Sequence, residues 1–184
     1  MKNQRTNIIL SLCFAAFFVF FNGFVGYEQG ETSPGTIEAI GNAGSDQVFS
    51  FRKWSFTKAN VPNGNFEEVE VEVEINTSSV ETGWKKLEKS VKKKTDYFYV
   101  KKFPKATISI DGAEKQADGS FMTEAELTLK GITKKVPLTF TVSSEQPYRI
   151  KGEGVIKRRK FGFTGGGPKN EVPVSFDVIL PQNE

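Results

Sequence analysis

EEVEVEVEIN, Glu67 to Asn76, sets Val69, Val71, Val73 and Ile75 in alternation with Glu68, Glu70, Glu72 and Glu74. Successive side chains on a β-strand point to opposite faces, so a period of two predicts a strand with one face buried and the other in water. The same pattern repeats outward along the chain. Ala106 to Asp111 puts Ile108 and Ile110 on one face. Phe121, Thr123, Ala125, Leu127 and Leu129 alternate with Met122, Glu124, Glu126, Thr128 and Lys130. Val136, Leu138, Phe140 and Val142 form another set, followed by Ile150, Gly152, Gly154 and Ile156, and by Val172, Val174, Phe176 and Val178.

QVFSFRKWSF, Gln47 to Phe56, changes parity midway: Phe49 and Phe51 share one face, Trp54 and Phe56 the other. An extra residue at Arg52-Lys53 would restore a single apolar face, which predicts a β-bulge there. A short strand over Thr36 to Ile40 brings the total to about eight. Turn signals separate the strands: Pro62-Asn63-Gly64, Ala117-Asp118-Gly119, Gly131-Ile132-Thr133 and Gly165-Gly166-Gly167-Pro168.

Thr82 to Lys94 breaks the rule. Trp84, Leu87 and Val91 recur at helical spacing, with lysines and Glu88 on the remaining arc. Thr82 is placed to cap the start, and lysines crowd the last turn, where the helix dipole favours them. This is an amphipathic helix, expected to lie across the barrel or its rim. Eight amphipathic antiparallel strands predict an all-β sandwich or closed barrel. A barrel of eight has an interior that side chains fill or that holds one small ligand.

The N-terminus predicts that the chain leaves the cytoplasm, for the periplasm or the exterior of a bacterium. Lys2 and Arg5 precede IILSLCFAAFFVFF, Ile8 to Phe21, an uncharged apolar run. That combination predicts a cleaved secretory signal over residues 1–26, with an uncleaved anchor in the inner membrane as the alternative. Residues 27–44, rich in Gly, Ser, Thr and Glu, read as a tether, and 45–184 as one domain. Cys13 lies inside the apolar run and the chain has no histidine. The exported part therefore has no disulfide, thiolate nucleophile or histidine base, and no carboxylate cluster with metal-binding spacing.

The whole chain carries a net charge of +3, and two positive charges within residues 1–26 leave +1 for the rest. This is too little for a nucleic-acid binder, although KKKTDYFYVKKFPKA, Lys92 to Ala106, threads lysines through Tyr97, Phe98, Tyr99 and Phe103. The charge is unevenly spread. Lys85 to Lys105 holds nine lysines against Glu88 and Asp96, while Glu67 to Glu74 holds five glutamates. Such a basic end suits an anionic membrane or a diphosphate at the barrel mouth, or simply keeps a helix face solvated. Whether a second copy pairs with it is open.

Three stretches resemble the YceI-like family of periplasmic, lipocalin-like, polyisoprenoid-binding barrels. INTSSVETGWKKLEKSVKKKTDYFYVKKFPKATISI, Ile75 to Ile110, is similar to the family's long strand ending in Ser-x-x-Thr, its helix, and the aromatic pair before Phe/Tyr-Pro. AELTLKGITKKVPLTF, Ala125 to Phe140, resembles its leucine–threonine strand, glycine turn and proline-marked return strand. KRRKFGFTGG, Lys157 to Gly166, resembles its Arg-x-x-Phe-Gly before the last strand. The chain departs from the pattern where many members carry histidine in the second strand, here Arg52-Lys53-Trp54. It departs again at the helix start, where Gly83-Trp84-Lys85-Lys86-Leu87 replaces Arg-Asp and histidine.

The resemblance implies an eight-stranded antiparallel lipocalin-like barrel with one short amphipathic helix. It also implies non-catalytic binding of an apolar isoprenoid-like lipid, a polyprenyl chain or a quinone, with no other cofactor. Candidate cavity residues are Phe49, Phe51, Phe56, Val71, Val73, Ile108, Ile110, Leu127, Leu129, Leu138, Phe140, Ile150, Phe161, Phe163 and Phe176. Trp84, Leu87, Phe98 and Phe103 are candidates for a lid, or for pinning the helix to the barrel. The alternative is a filled core whose lysine-rich helix docks on a membrane or a partner. An enzymatic reading would use glutamates two apart on a strand, about 6.6 Å from each other. Those side chains are expected on the wet face, outside any pocket, where they serve solubility. Expression in a bacterial host checks the export expectation: the intact mass of the exported protein should lack residues 1–26, and retention of that segment would identify an anchor.

Overall fold

The alternating segments pair into one curled antiparallel sheet in the computed structural model, which describes residues 33–42 and 46–182. The expected signal segment, residues 1–26, lies outside the described residues. In chain order the strands are β1 (Gly35–Asn42), β2 (Asp46–Phe51), β3 (Trp54–Asn60), β4 (Glu70–Asn76) and β5 (Val80–Glu81). After helix α1 (Lys85–Lys93) come β6 (Lys105–Asp111), β7 (Glu114–Lys115), β8 (Phe121–Leu129), β9 (Ile132–Val142), β10 (Arg149–Lys157) and β11 (Glu171–Ile179). The hydrogen-bonded order is β3-β4-β6-β8-β9-β10-β11-β1-β2-β5, with β7 a short addition to β8.

The two ends of that order are one pair of neighbouring chain segments. β2 runs into β3 through Arg52 and Lys53, and β4 runs into β5 through a 3-10 turn, Thr77–Ser79. β3 pairs with β4 and β2 with β5, so the ring of pairings closes on itself with eight members. At the joint the expected bulge is instead a break between two strands. Arg52 N–H donates to the Ser79 carbonyl at 3.4 Å, and Asn76 N–H to that of Lys53 at 2.9 Å. Ser33 Oγ donates to the Arg52 carbonyl at 2.7 Å and accepts from Trp54 N–H at 3.2 Å. The parity change is real: Phe51, Trp54 and Phe56 all pack towards the interior across the break. A register shift does occur, but later, between Phe56 and Lys58.

β1 bears out the strand expected over Thr36 to Ile40 and corrects the bounds of the expected tether. Gly35–Asn42 lies within residues 27–44, yet it pairs with β11 on one side and β2 on the other, so the barrel begins at its first residue. Two hydrogen-bonding neighbours satisfy a backbone that a tether would leave in water.

The walls follow the pattern of the sequence. Val71, Val73 and Ile75 are buried, as are Phe121, Thr123, Ala125 and Leu127 on β8 and Val136, Leu138 and Phe140 on β9. Pro137 has no N–H to offer, and it sits one residue beyond Leu138, where the β9–β10 pairing stops. β8 and β9 are joined by a two-residue hairpin turn in which Lys130 (φ 51°) and Gly131 (φ 74°) both take the left-handed conformation that matches strand twist.

The helix starts later than its sequence suggests. Trp84 occupies the capping position, and Thr82 Oγ1 accepts from Trp84 N–H at 3.2 Å instead of from a helical amide. Glu88 then reaches back to accept from Thr82 N–H at 2.9 Å. Val91 is the helix's buried residue.

The inward glycines of β10 give its neighbours room. A Cβ on Gly152 would lie 2.3 Å from the Phe176 ring and 2.7 Å from the Thr139 carbonyl oxygen. Gly152→Val should therefore lower unfolding stability by about 1–3 kcal/mol, read as a shift in the denaturation midpoint; an unchanged midpoint would show that the Phe176 ring yields freely.

Candidate functional site

A closed ring with alternating walls sends half of its side chains into a tube, and here the tube is not filled. It contains a cavity of about 220 Å³ that runs from Val69, Ile150 and Leu180 at one end to Phe98, Phe163 and Pro168 at the other. The walls are aliphatic and aromatic almost throughout.

The two ends are closed differently. At the far end Phe66 is buried, with its ring 5.1 Å from Tyr148 and 5.7 Å from Phe121, and Phe121 stacks on Phe140 at 5.4 Å. That plug is part of the main core. At the α1 end, Phe98 wedges edge-to-face between Phe51 at 5.7 Å and Phe163 at 5.1 Å. Phe98 lies on the connection from α1 to β6, not on a strand.

Hydrogen bonds latch that connection to the glycine loop before β11. Tyr97 Oη donates to the Gly166 carbonyl at 2.7 Å. The amides of Thr164 and Gly165 both donate to the Asp96 carbonyl at 3.2 Å. Lys130, aimed by its left-handed turn, donates to the carbonyls of Thr95 and Gly162 at 2.7 Å each and lies 4.9 Å from the centre of the Phe163 ring. Partial burial holds its ammonium below the ordinary lysine range, with the Asp96 charge opposing that shift. Arg158 borders the cavity and is buried, but every guanidinium nitrogen donates to a backbone carbonyl, of Phe163, Pro168 or Lys169. These bonds tie the guanidinium to the loop backbone on all three nitrogens. The α1 end is therefore closed by side chains and hydrogen bonds of loops and turns, outside the strand pairings.

The structure places Phe49, Phe51, Phe56, Val71, Val73, Ile108, Ile110, Leu127, Leu129, Leu138, Phe140, Ile150, Phe163 and Phe176 around the cavity. Phe161 is a correction. The 3-10 turn Arg158–Phe161 carries it into a second buried cluster with Ala125, Val136 and Leu138. Of the candidate lid residues, Phe98 borders the cavity and the other three do not. Trp84 points to solvent at 56% exposure, because it precedes the first helical turn and is off the buried stripe. Leu87 is half-buried beside that stripe. Phe103 closes a turn with Tyr99 and packs beside Gly131.

Sequence reasoning left out Trp54, Val91, Tyr97 and Arg158 as wall residues, together with the inward face of β1 at Ile37 and Ala39. Val91 and Trp54 were legible as apolar residues on a helix stripe and a strand. Tyr97 and Arg158 reach the cavity through turns that carry no periodic signal. The indole N–H of Trp54 is buried with no hydrogen-bond partner among the described residues.

The glutamates of β4 stand on the outer wall. Glu70 pairs with Lys58 at 3.0 Å and Glu74 with Lys105 at 2.8 Å. The hydrogen bond from Lys58, then that from Asn60, hold the Glu70 carboxyl below the ordinary glutamate range, opposite to the raised value a general acid needs.

A family model described as a YceI-like domain matches residues 34–180. A UPF0312 protein of Yersinia enterocolitica is 36% identical over 101 residues, which cover 51% of this chain and 52% of that protein. The chain thus spans about half the length of the curated relatives it matches. Among solved structures, BcnA of Burkholderia cenocepacia superposes with a TM-score of 0.73 at 21% identity, covering 80% of this chain and 96% of that one. A polyisoprenoid binding domain from Saccharophagus degradans superposes with a TM-score of 0.61 at 14% identity, covering 82% and 97%. The YceI protein of Campylobacter jejuni gives 0.61 at 21% identity, covering 74% and 85%. These likenesses show the fold, a lipocalin-like barrel.

Removing the Phe98 wedge should widen the α1 end. Phe98→Ala is expected to speed uptake of an apolar fluorescent probe several-fold in stopped-flow mixing, at some cost in stability. An unchanged association rate in a folded variant would place the way in elsewhere.

Proposed function

Because the chain belongs to the YceI-like family, we propose that it is an exported carrier that holds one apolar, isoprenoid-like lipid inside its barrel and performs no chemistry on it. The observation that carries this reading is the continuous apolar cavity inside a closed ring of strands. The description of the Saccharophagus degradans neighbour as polyisoprenoid-binding supports it. A guest held by burial alone gains about 0.8 kcal/mol per methylene, so a prenyl chain needs no polar partner to bind well.

The cavity is smaller than the roughly 300–1,000 Å³ of sites that take drug-sized ligands. A long chain therefore requires Phe98 and its neighbours to part as it enters. The unpartnered Trp54 N–H in the wall favours a guest that brings a carbonyl oxygen there, which supports a quinone-like head over a bare hydrocarbon.

Native mass spectrometry of the full chain, purified gently from a bacterial host, tests the reading. The expected result is one discrete added mass that solvent extraction identifies as a polyprenyl compound or a quinone. Ile110→Trp, which fills the cavity without adding charge, should abolish that mass while the circular dichroism stays native; Leu138→Arg should abolish it too. A bare protein that also ignores added lipid would sink the carrier reading.

A further inference from the structure

Lys85, Lys89 and Lys93 recur every four residues along α1, and Lys86 adjoins them; all four are exposed. They stand opposite Val91, the residue that α1 buries, and so face away from the barrel. Lys94, Lys101 and Lys102 extend the basic surface over the connection to β6.

Among the described residues this face has no counter-charge. Many cations elsewhere are matched: Lys58 with Glu70, Lys105 with Glu74, Arg149 and Lys151 with Asp177, Lys157 with Glu171, and Arg52 with Glu81; Lys115, Lys134 and Lys135 on the strands are not, but they are scattered and have no exposed tryptophan beside them. Among the described residues no carboxylate pairs with the lysines of α1, and the helix's own Glu88 is turned back onto the Thr82 amide. Beside the first of these lysines stands Trp84, more exposed than any other large apolar side chain among the described residues. An indole next to a lysine row is the side-chain pairing of a membrane–water boundary, where the ring sits at headgroup level and the ammonium groups meet lipid phosphates. The underside of the same surface is cavity wall, through Val91, Tyr97 and Phe98.

We propose that the α1 face docks the protein on an anionic phospholipid bilayer, with Trp84 in the headgroup layer, and so presents the openable end of the barrel to the membrane. Charge complementarity selects the anionic lipid. Trp84 selects a bilayer over a soluble polyanion, which offers no apolar layer to an indole. The docking surface stands on its own charge pattern and does not require the cavity to be loaded.

The test uses the full chain in every arm, so that any pull from the apolar N-terminal run is constant. Trp54 is buried at 6% exposure, so Trp84 is the tryptophan open to an aqueous quencher. Phosphatidylglycerol vesicles at low salt should shield Trp84 from iodide, and the shielding should weaken as salt rises to about 0.15 M. Replacing Lys85, Lys89 and Lys93 together by Gln should weaken it about a hundredfold. Equal shielding by phosphatidylcholine vesicles, equal shielding in the triple variant, or the same shielding by soluble polyphosphate would each overturn the proposal. The copurified mass is read on the same triple variant, so loss of docking and loss of cargo are separate results.

Discussion

The molecule depends on a ring of backbone hydrogen bonds that two broken segments complete. β2 and β3 are one run of chain interrupted at Arg52-Lys53, β4 and β5 another interrupted at Thr77–Ser79, and the interruptions face each other. Without that joint the sheet would end in two raw edges with unpaired amides and carbonyls. With it, every long strand but β3, which pairs with β4 alone, has a neighbour on both sides, and the pleat forces half of the side chains into one enclosed space. The cavity is thus a result of closure: eight strands fix a tube width that the available side chains do not wholly fill.

The two ends of the tube are closed by different means. The Phe66 end is packed into the main core, whereas the α1 end is held by loop segments through Tyr97, Asp96 and Lys130. Loop hydrogen bonds are worth about a kilocalorie each, far less than a strand pairing removed whole. Opening at this end leaves the ring intact. Gly165 also matters here, since a Cβ there would press within 2.7 Å of the Tyr97 ring and hold the loop away from its partner.

Much of this was legible in the sequence because a strand with one wet face repeats every two residues. β4, β8 and β9 announce themselves in that way, and their inward residues border the tube. The misreadings fall where the period stops. Phe161 follows β10 in chain order but is rotated by a 3-10 turn into a separate cluster. Trp84 fits a helical stripe only if the helix starts before it, and it does not. β1 was legible as a short strand over Thr36 to Ile40, but its linker-like composition hid that it belongs to the barrel, because pairing on both flanks overrides the weak strand propensity of its glycines and glutamate. Tyr97 and Arg158 hold the α1 end from turns, and turns carry no rhythm.

A tube with one blind end has a direction. The Phe66, Tyr148, Phe121 and Phe140 rings block through-passage, so on the proposed carrier function a linear guest would leave by the end at which it came in. The last atoms to enter would be the first to leave. Transfer from such a vessel would then be a handover from mouth to mouth, in which donor and acceptor must face each other, with no relay through the barrel wall.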